Sequence, residues 1–282
     1  MSPMSNVPSS KSVSETVPSN RASEGSREQT DIPRHADLGL ETLDIGPNQA
    51  DFGLGTLDVG LNVTDLRKSF TSPAGENIDV LRGVSFSADL GQALAITGAS
   101  GAGKSTLLHL LGGLEAPDHG SIAVGEFEVD RASPSALASF RSARVGFVFQ
   151  FHHLLADLSA EENVALPLLI TRTNRDEAMR QAREALEDIG LGSRCSHPVN
   201  HLSGGEQQRV ATCRALITKP SLVLADEPTG NLDTSFATEL GERLVNYSRL
   251  RHAIVLVATH NEQLAELCDR RLVIKNGRVS EG

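Results

Sequence analysis

Apolar and polar residues alternate along two segments near residues 61–90, where the chain becomes rich enough in apolar residues to form a folded domain. The segments read LNVTDLRKSF, from residue 61, and VLRGVSFSADL, from residue 80. Alternation with a period of two is typical of strands that bury one face, and neighbouring segments of this kind favour an antiparallel pair. An apolar run at residues 92–97 predicts a buried strand, which leads directly into a glycine-rich loop and a predicted helix at residues 104–111.

Short apolar runs continue through the rest of the chain and predict further strands at residues 145–149, 222–225, 253–258 and 271–274. Strands that alternate with helices around a glycine-rich loop indicate an α/β protein with a mostly parallel core sheet. Combined with the antiparallel strands at its start, this pattern predicts one domain over residues 61–282.

A helical stretch is inserted in that domain at about residues 151–218. Within it, one helical face is formed by apolar residues at helical spacing, and Gly190 is expected to end the helix. These residues are Met179, Ala182, Leu186 and Ile189. We therefore expect an antiparallel β subdomain, a mostly parallel core sheet and an inserted helical subdomain.

The first 60 residues have a different composition. Residues 1–36 are rich in Ser, Pro and Glu with few large apolar side chains, so we expect them to be disordered. Residues 37–46 recur with small changes as residues 51–60. Two copies are too few for a solenoid, and the repeat is interpreted either as a duplicated linker or as a docking motif.

Charge and cysteine content narrow the class of protein. The net charge of −10 argues against nucleic-acid binding. Three separated cysteines favour free thiols in a reducing compartment over disulfides or a zinc site. The sequence has neither an apolar run long enough for a membrane span nor a secretory signal, so we expect a soluble, cytoplasmic chain.

The glycine-rich loop has the spacing Gly98-x-x-x-x-Gly103-Lys104-Ser105, which is the P-loop pattern. Its backbone N–H groups can surround a phosphate, and the following helix adds its positive N-terminal end. We expect Lys104 to reach the β- and γ-phosphates and Ser105 to bind magnesium. The full set of predicted phosphate-binding residues is Gly98, Ala99, Ser100, Gly101, Ala102, Gly103, Lys104, Ser105 and Thr106.

The predicted strand at residues 222–225 ends in two carboxylates. A buried strand delivers Asp226 to the carboxyl edge of the sheet, where it is expected to hold magnesium. Glu227 is then placed to activate the attacking water as a general base. The simpler interpretation, two acids at a strand end, is weakened by the P-loop.

A second anion site is predicted at Leu202-Ser-Gly-Gly-Glu-Gln-Gln-Arg209. Ser203 is expected to cap a helix and Glu206 to close a capping box. Gly204 and Gly205 leave N–H groups bare at the helix start. One chain does not need two such sites for one γ-phosphate, whereas two chains packed head to tail do.

The LSGGEQQR segment resembles the signature of ATP-binding cassette (ABC) ATPases, over about residues 61–282. The resemblance implies a head-to-tail sandwich dimer around two MgATP molecules. It also implies that Gln150 binds magnesium and couples the nucleotide to transport subunits, and that His260 contacts the γ-phosphate. The segment ending at Asp233 would cross the dimer interface. Phe70 stands where the family usually has a tyrosine that stacks on adenine, and Phe keeps the stacking face.

The residues after Gln150 resemble the LolD branch of this family, which powers lipoprotein release. They include Phe151-His-His-Leu-Leu155 and the segment at 161–170. The resemblance implies two integral membrane permease subunits, LolC/LolE-like, and a peripheral position on the cytoplasmic face of the inner membrane, with membrane contact only through those partners.

Three alternatives remain open from the sequence. MacB-type exporters of peptides or small molecules and FtsE-type division ATPases share much of the LolD pattern. A soluble ABC ATPase acting on DNA or ribosomes is a second alternative, and a regulatory nucleotide-binding module is a third. The acidic composition disfavours the second, and the presence of Glu227 and His260 disfavours the third.

Overall fold

The computed structural model describes residues 60–230 and 234–282, apart from the side chains of residues 234 and 235. The predicted disorder at the N-terminus, nearly all of the repeat and Asp233 lie outside the described residues. The first described strand begins at Leu61, where the alternating pattern begins.

The alternating segments form two long strands of a four-stranded antiparallel sheet, as predicted. Its strand order is β2-β1-β4-β5, with Leu61 opposite Ala88 and Phe70 opposite Ile78. The strands are β1 (Leu61–Thr71), β2 (Asn77–Ala88), β4 (His119–Val124) and β5 (Phe127–Glu128). Alternating side chains of β1 are buried, because one face of this sheet covers the core and the other faces solvent.

A second sheet has six strands in the order β10-β9-β3-β8-β7-β6. All pairs are parallel except β10 with β9. Its strands are β3 (Ala93–Thr97), β6 (Val145–Val148), β7 (Leu222–Asp226), β8 (Ile254–Ala258), β9 (Arg270–Lys275) and β10 (Arg278–Glu281). Every residue of β3 and β8 is buried, because parallel strands covered on both faces need apolar side chains throughout.

Helices cover this sheet on both faces. Helix α1 (Lys104–Leu111) shares one apolar core with the antiparallel sheet, and α6 (Thr234–Arg251) contributes to a second core on the other face. Two further helices are α2 (Pro134–Arg144) and α7 (Glu262–Leu267). The carboxyl ends of the five parallel strands meet at one edge, where loops can combine functional side chains.

The inserted helical stretch has its own apolar cluster. It contains α3 (Ala160–Ile170), α4 (Arg175–Glu187) and α5 (Gly204–Leu216). Helix α4 ends two residues before Ile189, which lies past the helix but still packs on the cluster. Gly190 ends it as predicted, with φ +74°, and the next amide, of Leu191, donates to the Leu186 carbonyl at 2.7 Å.

Candidate active site at the edge of the parallel sheet

The loop between β3 and α1 requires glycine at its two ends. Gly98 and Gly103 have φ values of +149° and +105°, which favour glycine. A Cβ on Gly98 would lie 2.5 Å from the carbonyl oxygen of Ile274, and one on Gly103 would lie 2.9 Å from a methyl group of Leu81. The loop therefore wraps tightly between β9 and β2, and the first amides of α1 lack a side-chain cap among the described residues. Such a helix start binds anions well.

Lys104 holds this loop from inside. Its side chain is buried, with the residue 8% exposed, and Nζ donates to the carbonyl oxygens of Gly98 at 3.0 Å and Ala99 at 3.4 Å. The same Nζ lies 3.7 Å from Oε1 of Glu227. Burying an ammonium group costs free energy unless the charge is paired or hydrogen-bonded. These contacts therefore stabilise the Lys104 ammonium group in the absence of a phosphate. Ser105, next in the chain, is exposed on the first turn of α1.

The predicted carboxylate pair stands at the end of β7. Asp226 is its last residue, and its Oδ1 is buried without a hydrogen-bond partner among the described residues. Buried carboxylate oxygens are normally satisfied, so this atom is suited to a cation.

Glu227 follows with a strained backbone, φ +44°, and its N–H donates to the Ala258 carbonyl at 2.8 Å. Strain of this kind persists only where surrounding contacts enforce it, and it is common at active sites.

His260 meets Glu227 across two strand ends. The His260 backbone N–H donates to Glu227 Oε2 at 3.2 Å, and Nδ1 of the imidazole lies 2.9 Å from the same oxygen. The imidazole is largely exposed, whereas the Glu227 side chain is 13% exposed. Three strands, β3, β7 and β8, therefore bring Lys104, Glu227 and His260 into one continuous set of contacts.

Gln150 lies at the same edge of the sheet, two residues after β6. A Cβ on Gly230 would lie 3.5 Å from Nε2 of Gln150, so this amide faces the segment that follows Glu227. The Gln150 side chain is exposed toward solvent. Its position follows from the pairing of β6 with β7, which places the ends of both strands side by side.

The second predicted anion site forms as expected locally. Ser203 caps α5, and Glu206 closes the capping box with Oε2 2.8 Å from the Ser203 amide. That backbone hydrogen bond lowers the pKa of Glu206 below its ordinary value. A Cβ on Gly204 would meet no atom within 4 Å, so the helix start is open. Among the described residues, no hydrogen bond or ion pair joins this turn to the phosphate loop.

Phe70, near the end of β1, is 38% exposed. Phe70 pairs with Ile78 of β2. Two residues further along β2, the side chain of Val80 would lie 3.0 Å from a Cβ built on Gly103, so this end of β2 runs close to the phosphate loop. Lys68 lies behind the ring, with Nζ 5.1 Å from its centroid. Sequence reasoning did not identify Lys68, because a lysine in an alternating strand is usually solvated. Asp233 is outside the described residues.

A glycine loop at a helix start, its buried lysine, and two carboxylates at the end of β7, two strands away in the same sheet, define a P-loop nucleotide-binding protein. A family model described as "ABC transporter" matches residues 81–230. The "Lipoprotein-releasing system ATP-binding protein LolD" of Geobacter metallireducens is 49% identical over 218 residues, which is 77% of this chain and 96% of that protein. The protein with the same description in Cytophaga hutchinsonii is 46% identical over 202 residues, 72% of this chain and 92% of its own length.

The fold matches solved cassettes as well. A dimeric structure of the ATP-binding cassette MJ0796 in a post-hydrolysis state, bound to ADP and Pi, is similar with a TM-score of 0.75 and 32% identity. The match covers 79% of this chain and 97% of that one. The chain therefore belongs to the ABC transporter ATPase family and is an ATP-binding, ATP-hydrolysing enzyme. The predicted fold class is confirmed. No helix among the described residues has the length and hydropathy needed to cross a membrane.

Proposed function

We propose that this chain is the ATPase subunit of a transporter that releases lipoproteins from the inner membrane. The main support is the 46–49% sequence identity between this chain and proteins described as ATP-binding proteins of a lipoprotein-releasing system. The matches span 92–96% of those relatives, so the similarity extends well beyond the nucleotide-binding motifs.

The nucleotide is proposed to bind as MgATP at the edge of the parallel sheet. The loop from Gly98 to Thr106 surrounds the phosphates, and Lys104 Nζ exchanges its carbonyl contacts for phosphate oxygens. Ser105, Gln150 and Asp226 would hold the magnesium ion. The Oδ1 of Asp226 fits a cation, because it is a buried anionic oxygen at the strand end and no described residue hydrogen-bonds it. Bound magnesium would neutralise charge on the phosphates.

Glu227 is proposed to be the general base. Its carboxylate is mostly buried and oriented by the His260 amide and imidazole. A carboxylate held in this way can accept the proton of an attacking water without first having to reorganise. His260 is exposed at the same oxygen, which places it to contact the γ-phosphate once ATP is bound. Phe70 presents an exposed aromatic face on which adenine can stack.

Two copies are proposed to form a head-to-tail dimer around two nucleotides. In one chain the open helix start at Ser203, Gly204 and Gly205 has no polar contact with the phosphate loop among the described residues, so it is available to the nucleotide of the partner. The MJ0796 cassettes are described as dimeric. Asp233 would lie in the segment between the two sites.

The proposed membrane partners are two permease subunits of the LolC/LolE type, with this chain peripheral on the cytoplasmic side. Residues 1–60 would be an extension of the ATPase domain at 61–282, whose helical subdomain at about 151–218 would contact the permeases. No residue of the chain is assigned to the cargo.

The proposal can be tested by isolating the complex. The full chain is tagged, captured from membranes of its own cells, and its co-purified membrane proteins are identified. The complex is then placed in vesicles loaded with a lipoprotein, and ATP-dependent release into the supernatant is measured. We expect two related permeases and release that a Lys104→Ala complex lacks. A partner without release activity, or a peptide exporter or division protein as the partner, would overturn the assignment.

A further inference from the structure

The described surface carries a basic cavity that the ATPase chemistry does not use. It has a volume of about 420 Å³ and borders the hairpin of β9 and β10. Its lining residues are Arg82, Lys275, Asn276, Arg278, Val279 and Ser280. Three of the six are cationic, two more carry hydrogen-bond donors, and none is acidic. None of the six belongs to the phosphate loop.

The three cations, Arg82, Lys275 and Arg278, have no ion pair or side-chain hydrogen bond with other described residues. Two arginines of β9, by contrast, form ion pairs. Arg271 pairs with Glu262 at 2.6 Å, and Arg270 pairs with Glu281. Unpaired cations repel one another at close range, so a group of three in an acidic chain costs free energy unless an anion neutralises it.

The backbone around the cavity is held in place. Asn276 and Gly277 form the hairpin turn with φ values of +53° and +74°, which two-residue turns between twisted strands require. The Arg82 amide donates to the Gly277 carbonyl at 2.7 Å, and a Cβ on Gly277 would lie 2.8 Å from the Val80 carbonyl oxygen. The turn is therefore fixed against β2, and the cations are presented from rigid strands and not from a loop.

We propose that this cavity binds a phosphate or phosphate-ester group at a site separate from the ATP site. Arginine and lysine side chains commonly donate hydrogen bonds to phosphate oxygens in proteins. Here the amide of Asn276 and the hydroxyl of Ser280 add two further donors. The group can come from a soluble phosphate compound or from the headgroup of an anionic lipid, because both present the same oxygens.

The soluble source is tested by calorimetry on the full chain. The ATP site is first filled with magnesium and a non-hydrolysable ATP analogue, and a fluorescent label on the analogue reports that it stays bound. Inorganic pyrophosphate is then titrated. The lipid source is tested by flotation with phosphatidylcholine vesicles that either contain or lack phosphatidylglycerol.

The test variant is Lys275→Gln with Arg278→Gln, which keeps side-chain length and removes two cavity charges. Its matched control is Arg172→Gln with Arg251→Gln, which removes two exposed cations elsewhere. We expect the test variant to weaken binding of at least one probe by about tenfold or more, since each charge-assisted hydrogen bond contributes strongly.

The control should bind like the original chain. Binding by neither probe, or equal binding by the test and control variants, would overturn the site. Unchanged thermal unfolding of the test variant shows that its loss of binding is local.

Discussion

The edge of the parallel sheet buries charged side chains, whereas the loop between β6 and α3 exposes apolar ones. At the sheet edge, the charged side chain of Lys104 is buried and is paired with that of Glu227, which is mostly buried. In the loop, Phe151 is 71% exposed and Leu155 48% exposed, while Asn163, which hydrogen-bonds the Leu155 backbone, is fully buried. Buried charged groups are typical of sites that bind ions or carry out catalysis. Exposed apolar side chains are typical of surfaces that contact another protein.

Asn163 explains how an exposed apolar loop stays ordered. Its Oδ1 accepts from the Leu155 amide at 2.8 Å, and its Nδ2 donates to the Leu155 carbonyl at 3.1 Å and the Ser159 carbonyl at 3.0 Å. Arg214 adds hydrogen bonds to the carbonyl oxygens of His152 and His153. The backbone is therefore fixed by polar contacts, and its apolar side chains do not need to be buried.

The largest effect is expected at the sheet edge. Lys104→Ala and Ser203→Arg should each abolish ATP hydrolysis, the first by losing a phosphate contact in its own site and the second by blocking the site of the partner. An equimolar mixture should regain activity, because a mixed dimer has one composite site with both groups intact. The ATPase rate of the mixture is compared with that of each protein alone. A mixture as inactive as its components, with mixed dimers shown to form, would count against the sandwich.

The next largest effect tests the base. Glu227→Gln should lower the ATPase rate by about 10²–10⁴-fold, the usual contribution of a general base, while ATP binding is retained. Single-turnover kinetics and nucleotide binding are measured on the same sample. Glu242→Gln, an exposed carboxylate on α6, is the matched control and should be unchanged. Near-normal hydrolysis by the Glu227 variant would remove it from this role.

A smaller effect, on stability, is expected from the buried amide. Asn163→Ala should lower the free energy of unfolding by about 2–3 kcal/mol, because it leaves the Leu155 amide and carbonyl without their partner. Denaturant unfolding measures the change. Asn62→Ala, on an exposed position of β1, should stay within about 0.5 kcal/mol. Equal stability of the two variants would show that the loop does not depend on Asn163.

The smallest effect on the isolated chain is expected at the exposed loop residues. Phe151→Ala and Leu155→Ala should change stability by less than about 0.5 kcal/mol and leave the basal ATPase rate unchanged. Each should uncouple hydrolysis from transport, because we propose that these two exposed apolar side chains contact a helix of a permease subunit. Leu154→Ala should instead destabilise the chain, since Leu154 packs on the helical cluster.

The control for this coupling test is Leu250→Ala, which removes from the end of α6 a side chain whose exposure, 60%, lies between those of Phe151 and Leu155. Transport is measured in vesicles that contain the complete complex. Transport by the Phe151 and Leu155 variants at the rate of the Leu250 variant would contradict the coupling assignment, and so would destabilisation by both substitutions.

Features built from contiguous residues were predictable. The helix at 104–111, the strand ending at Asp226 and the capping box at Ser203 all formed as expected, since each depends on local spacing and backbone hydrogen bonding. The start of the first helix inside the predicted helical stretch was not specified by local spacing. This helix begins at Ala160, because Ser159 caps it and the residues before it form the loop that Asn163 holds.

Features that depend on distant residues were not predictable. Asn163 is a polar residue in a helix, which usually means exposure, yet it is buried by the loop that precedes it. Lys68 lies behind Phe70 only because residues 115–118 return to β1, where Nζ donates to the Ala116 carbonyl at 2.8 Å. The basic cavity joins β2 to a hairpin almost 200 residues later in the chain.

The chemical groups of this protein, and the strand or helix end that carries each of them, follow from short stretches of its sequence. A phosphate loop, a carboxylate strand and a capped helix are local structures, because their hydrogen bonds close within a few residues. Which of these groups come into contact depends on how the strands are arranged in the folded protein. Glu227 reaches Lys104 and His260 because β3, β7 and β8 are adjacent in the sheet although far apart in the chain. Strand order depends on packing of the whole core, which no single segment encodes.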